Sequence, residues 1–148
     1  MTTTTATPAA GVCLSRLLAS GLIGGALAAA VNTALLLIGK AVGVAFLAPV
    51  NGPDAPLTAV QPFNVILLCL MPALVAALLL AGLTRFTRRP RPIFLAISGA
   101  FLLLSLIPDW ALPMDTTATR ALLTLMHLVT AALIVGALLR GRPYGRNG

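Results

Sequence analysis

Four long apolar runs, separated by short polar or proline-rich breaks, make up most of the chain. The first extends from Leu17 to Gly39, interrupted only by Ser20, Asn32 and Thr33, and the second from Phe63 to Thr84 with Pro72 inside it. The third goes from Ile93 through Pro108 and Trp110 to Leu112, and the fourth from Ala121 to Leu139, carrying Thr124, His127 and Thr130. A helix rising about 1.5 Å per residue needs roughly 20 residues to cross about 30 Å of hydrocarbon, and each run meets or approaches that length. Backbone amides in lipid must be satisfied within their own segment, so each run is expected to be a helix. The pattern predicts an all-α integral membrane four-helix bundle: one domain over residues 15–140, with spans near 17–39, 63–84, 93–112 and 121–139.

The breaks refine this picture. Residues 1–14 read as a Thr-rich, low-complexity tail expected to be disordered, and 141–148 as a basic tail. The segment from Lys40 to Pro62 is long and broken by Pro49, Pro53 and Pro56, with a turn signal at Asn51-Gly52-Pro53-Asp54. Within it, Ala41 to Leu47 is apolar enough to lie on, or dip into, the membrane interface. Pro72 removes one helical hydrogen bond and is expected to kink the second span, chiefly as a matter of packing. Leu17 to Ala30 on its own has the form of a secretory signal core, with small residues at Ala28-Ala29-Ala30. The run continues through Val31 to Ile38, however, which is long enough to anchor, and an uncleaved span is the expectation.

Composition agrees: 59% of the 148 residues are hydrophobic and only 9% charged, against roughly 25% charged in an ordinary soluble domain. The net charge of +7 raises the question of nucleic acid. The arginines answer it, because they cluster at span ends with almost no aromatic residues among them. Arg16, Arg85, Arg88, Arg89, Arg91, Arg140, Arg142 and Arg146 fall on one side of the predicted membrane, and only Lys40 and Arg120 on the other, with Asp54, Asp109 and Asp115. Lys and Arg are retained in short cytoplasmic loops, so both termini are expected on the cytoplasmic side of a plasma membrane. Arg85, Arg88, Arg89, Arg91, Arg140 and Arg142 are thus expected to be topology determinants suited to lipid headgroups, and nucleic acid is not expected as a partner.

The spans carry small and polar residues at helical spacing. Gly21, Gly25, Ala28 and Asn32 fall along one face of the first, suited to close helix packing within the bundle or in a homodimer. Ser98, Leu102, Ser105 and Asp109 form a stripe on the third, and Arg120, Thr124, His127 and Ala131 on the fourth. Asn32, Ser105 and His127 each lie about 10 Å from the outer end of their spans, so an outer-half cluster of Asn32, Ser105, His127 and Thr124 is expected, with Asp109, Asp115 and Arg120 at its mouth. Two roles are open to His127: a neutral imidazole bonded to Asn32 or Thr124, or a site for a proton or small solute. A lone His without a Cys partner makes a poor metal site, and neither metal nor other cofactor is implied. Cys13 in the tail and Cys69 in the second span are too far apart to pair, and no CxxC is present. No nucleophile elbow, HExxH, P-loop or paired carboxylate appears, so an enzyme is not expected.

Four local features resemble a family: Ala30-Val31-Asn32 late in the first span, the exit Gly39-Lys40-Ala41-Val42-Gly43-Val44, the Arg-containing loop before the third span, and Leu125-Met126-His127-Leu128-Val129 in the fourth. In these the chain resembles the small four-helix bacterial membrane proteins grouped as a domain of unknown function. The resemblance implies architecture and location, and it singles out Asn32 and His127. The expected role is that of a structural or accessory membrane protein, alone or beside a membrane partner. The alternative is a small-solute or proton-binding transporter using the outer polar cavity.

Overall fold

The computed structural model describes residues 14–49 and 54–140. The Thr-rich tail with Cys13, the Asn51-Gly52-Pro53 part of the predicted turn, and Arg142 and Arg146 of the basic tail lie outside the described residues. Four helices are present: α1 (Leu14–Ala41), α2 (Pro62–Phe86), α3 (Pro90–Ala111) and α4 (Thr117–Arg140). All four are long and apolar enough to cross a membrane, and they pack together, making the chain a multi-pass membrane protein.

Their ends are set by local chemistry. After α1, the Val44 amide donates to the Gly39 carbonyl at 2.9 Å and the Gly43 amide to that of Lys40 at 3.1 Å. With Gly43 at φ +92 this is a Schellman cap, a conformation that needs glycine. Helices α2 and α3 both open on proline, whose missing N–H has no partner to lose in a first turn. At α4 the Thr116 hydroxyl accepts the Thr119 amide at 3.1 Å, an N-cap. Helix α2 continues through Pro72 from Pro62 to Phe86.

Helix α1 packs mainly on α2 and α4; α3 packs on the same two helices, and α2 also touches α4. Glycines set the α1 contacts. A Cβ on Gly25 would stand 2.7 Å from the Ala73 Cβ, and one on Gly21 2.9 Å from that of Ala77, so α2 fills this face. It is therefore not an open dimer surface. Gly24, on the neighbouring face, admits α4 in the same way: a Cβ there would lie 2.9 Å from the Ala137 Cβ and 3.1 Å from the Ile134 Cα. On α3, Phe94, Ser98, Leu102, Ser105, Leu106 and Asp109 are the inward residues after Pro90, and the rest of the helix is exposed. The stripe read from the sequence is thus its bundle-facing side.

The two ends of the bundle differ. One, the arginine end, carries Arg16, Arg85, Arg88, Arg89, Arg91 and Arg140, with a core of Leu17, Ala73, Ala77, Leu80, Phe94, Ile134 and Leu138. The other is covered by a segment the sequence reading treats as broken backbone. There β1 (Leu47–Ala48) pairs antiparallel with β2 (Thr58–Ala59). Phe46, at φ +52, turns its fully buried ring into the bundle. Of the apolar stretch Ala41 to Leu47 it is thus Phe46 that enters the bundle, while Ala41, Val42, Gly43 and Ala45 stay exposed. Gly39 makes the room, since a Cβ there would meet the Phe46 ring at 2.5 Å. Two bonds fix this hairpin: the Val60 amide donates to the Phe46 carbonyl at 3.0 Å, and Lys40 Nζ to the Val60 carbonyl at 2.8 Å.

Candidate functional site

Beneath the hairpin, polar side chains from all four helices occupy one layer. Sixteen residues separate Arg16 from Asn32, sixteen separate Cys69 from Arg85, and eighteen separate Arg91 from Asp109. At 1.5 Å per residue the layer lies roughly 24–27 Å from the arginine end along α1, α2 and α3, within the far part of a hydrocarbon core about 30 Å thick.

The layer has two halves. In the first, Asn32 is 2% exposed. Its Nδ2 donates to Thr130 Oγ1 at 2.7 Å and to the Met126 carbonyl at 3.1 Å, with Cys69 Sγ at 3.5 Å. The Thr130 hydroxyl also donates to the Met126 carbonyl at 2.8 Å and lies 3.6 Å from Cys69 Sγ. One amide thus ties α1 to α2 and α4. Its Oδ1 is buried and has no hydrogen-bond partner among the described residues. Cys69 and Thr130, to which the sequence assigns no place in the polar cluster, are the actual neighbours of Asn32. Their polarity within apolar runs is the one signal that pointed to them.

In the second half, His127 Nδ1 stands 3.2 Å from Asp109 Oδ2 and 2.9 Å from the Leu123 carbonyl. The Thr124 hydroxyl donates to the same Asp109 oxygen at 3.5 Å. This joins α3 to α4. Asp109 is 4% exposed and does not sit solvated at a cavity mouth. The reason is the stagger of the helix ends: Asp109 lies two residues, about 3 Å, from the end of α3, while His127 lies ten residues, about 15 Å, into α4. Helix α3 therefore stops well short of the start of α4, and its last turn is at the depth of His127.

The predicted four-residue cluster is consequently divided. Thr124 and His127 come together with Asp109, and Asn32 is engaged on another face of α4. Ser105 joins neither, its hydroxyl donating at 2.7 Å to the carbonyl of Leu102 in its own helix. Of the expected mouth residues, Arg120 folds over the end of α3, its guanidinium 5.7 Å from the Trp110 ring centroid and Nη2 donating to the Leu112 carbonyl at 3.4 Å. Asp115 lies half-buried in the α3–α4 turn, its Oδ1 unpartnered among the described residues. A groove of about 390 Å³ runs between α1 and α2, but Ala26, Ala29, Ala30, Thr33, Ile66 and Leu70 line it and no residue of the polar layer does. The described residues contain no cluster of three or more His, Cys, Asp or Glu arranged to hold a metal.

No curated protein and no solved structure matches the chain. Residues 12–143, a range that contains the whole described bundle, match the family of unknown function DUF6069, and the chain belongs to that family.

Proposed function

We propose that this protein is a structural or accessory component of a bacterial plasma membrane, with both termini cytoplasmic, whose polar residues clamp its helices to one another. The observation that carries this reading is the Asn32 amide, 2% exposed and bonded to Thr130 and the Met126 carbonyl beneath the fully buried Phe46 ring. An interhelical bond of this kind holds register in lipid, where apolar surface gives helices no reason to associate. The orientation rests on the arginine end, since Lys and Arg are retained on the cytoplasmic side. The same arginines are suited to anionic headgroups. A membrane partner or a second copy would dock on a surface other than the Gly21–Gly25 face. The role is non-enzymatic on this reading, as Ser105 is bonded to its own helix and Cys69 is 3% exposed. Purified protein in liposomes holding a pH-sensitive dye tests it. A clamp leaves proton leakage at the level of protein-free liposomes, and a rate that rises in proportion to protein content would overturn it.

A second reading, a small-solute or proton-binding protein, is favoured by one observation. His127 has 38% of its side chain exposed beside the buried Asp109, so half of the polar layer is open to its surroundings.

A further inference from the structure

Of the three acids only Asp109 is buried; Asp54 is exposed and Asp115 half-buried. A carboxylate in a low-dielectric span is costly unless paired. Its partner here is the only histidine of the chain, and its neighbour in sequence, Trp110, is the only tryptophan.

The hydrogen bonds assign the imidazole. Nδ1 lies 2.9 Å from the Leu123 carbonyl, an acceptor only, and 3.2 Å from Asp109 Oδ2. Nδ1 therefore carries a hydrogen, which leaves the lone pair of the neutral ring on Nε2. The ring is not sealed in, 38% of its side chain being exposed, and Nε2 holds the one lone pair that a proton can take. A proton from water adds to that lone pair, no bond of the protein breaks, and the site passes from a carboxylate beside a neutral ring to a matched ion pair.

The consequence falls on α3. Its other buried residues, Pro90 and Phe94, are both at the arginine end, so Asp109 is the buried anchor of its far end. We propose that His127 Nε2 is a proton-binding site and that the proton it takes up fastens the far end of α3 to α4 through Asp109. This deepens the second reading above, naming the proton as ligand and α3 as the element it controls.

Few other charges face the pair. Helix α4 adds Arg120, whose guanidinium lies over Trp110, and the α3–α4 turn adds Asp115. Helix α1 has no charged residue between Arg16 and Lys40, which donates to the Val60 carbonyl, and α2 has none before Arg85.

The lone histidine and lone tryptophan provide the test. The imidazole nitrogen resonances of His127 and the emission of Trp110 are followed on the full chain in bilayers, from about pH 5 to about pH 9, the range in which histidine titrates. The expected result is a His127 titration with a Trp110 response at the same midpoint. Asp109→Asn uncouples the two, and His127→Gln abolishes the Trp110 response, so a folding failure of either variant leaves the other decisive. Absence of any His127 titration overturns both this inference and the proton-binding reading. A titration without a Trp110 response, or a response that survives in His127→Gln, overturns the fastening of α3 and leaves His127 as a proton site.

Discussion

Asn32 on α1 and His127 on α4 lie at one depth and never meet. Asn32 bonds to the Met126 carbonyl and the Thr130 hydroxyl, while the residue after Met126 reaches away to Asp109 of α3. Successive residues of a helix point about 100° apart, so α4 presents one polar contact to α1 and α2 and another to α3 from the same turn. Helix α4 is thereby the common partner of both halves of the layer.

Replacing Asn32 by leucine, close to it in size, removes the link to α4 and also the buried, unpartnered Oδ1. Thr130 keeps its own bond to the Met126 carbonyl. The loss is therefore expected to be small, about 0.5–1.5 kcal/mol, in line with interhelical hydrogen bonds in membranes. Reversible unfolding in bicelles measures it; a loss above about 3 kcal/mol would mean that Asn32 holds more than this contact.

Gly25→Ala should destabilise the bundle by about 1–3 kcal/mol, because its new Cβ falls 2.7 Å from that of Ala73. Adding Ala73→Gly should return part of that loss, as contacting sites are not additive. Gly99→Ala is the control: nothing lies within 4 Å of a Cβ there, and the change should be neutral or stabilising. Thermal unfolding midpoints in detergent compare the three, and equal losses at Gly25 and Gly99 would contradict the packing described.

Gly39→Ala sets a Cβ against the Phe46 ring at 2.5 Å and should push the hairpin off the bundle. Faster protease clipping between residues 46 and 60 in vesicles that expose the hairpin end is the expected sign. Unchanged clipping would mean that the ring is not what seats the hairpin.

Ser105→Ala should leave stability within about 0.5 kcal/mol of the parent, since the hydroxyl serves only the Leu102 carbonyl of its own helix. Thr124→Val should cost more, because it removes a donor from the buried Asp109 carboxylate. The reverse order, read by unfolding in the same micelles, would restore Ser105 to the polar cluster.

The four helices were legible in the sequence to within a few residues, because long apolar runs with polar or proline-rich breaks mark them. So was the inward stripe of α3, since polar residues at helical spacing turn from lipid. Periodicity names a face, though, and not the helix opposite it, which is why Asn32 and His127 could be matched in depth and mistaken in direction. The burial of Asp109 depends on α3 ending below the start of α4, a stagger that no local pattern encodes. The hairpin was hidden for a related reason: a two-residue pairing held by a Phe at positive φ and a glycine cradle has no periodicity to detect. Gly24 stood beside Gly25 in plain view, but only the approach of α4 distinguishes the two.

The most direct measurement for the sealed Asn32 half of the polar layer uses its own thiol. Cys69 is 3% exposed and sits against Asn32 and Thr130. With Cys13→Ser as background and Asp54→Cys in a separate variant as the positive control, intact cells are treated with a membrane-impermeant maleimide. The account predicts ready labelling at position 54 and none at Cys69 until the membrane protein is unfolded. Labelling of Cys69 in intact cells, at a rate comparable with position 54, would contradict it, because the Asn32 half of the layer would then be open to water.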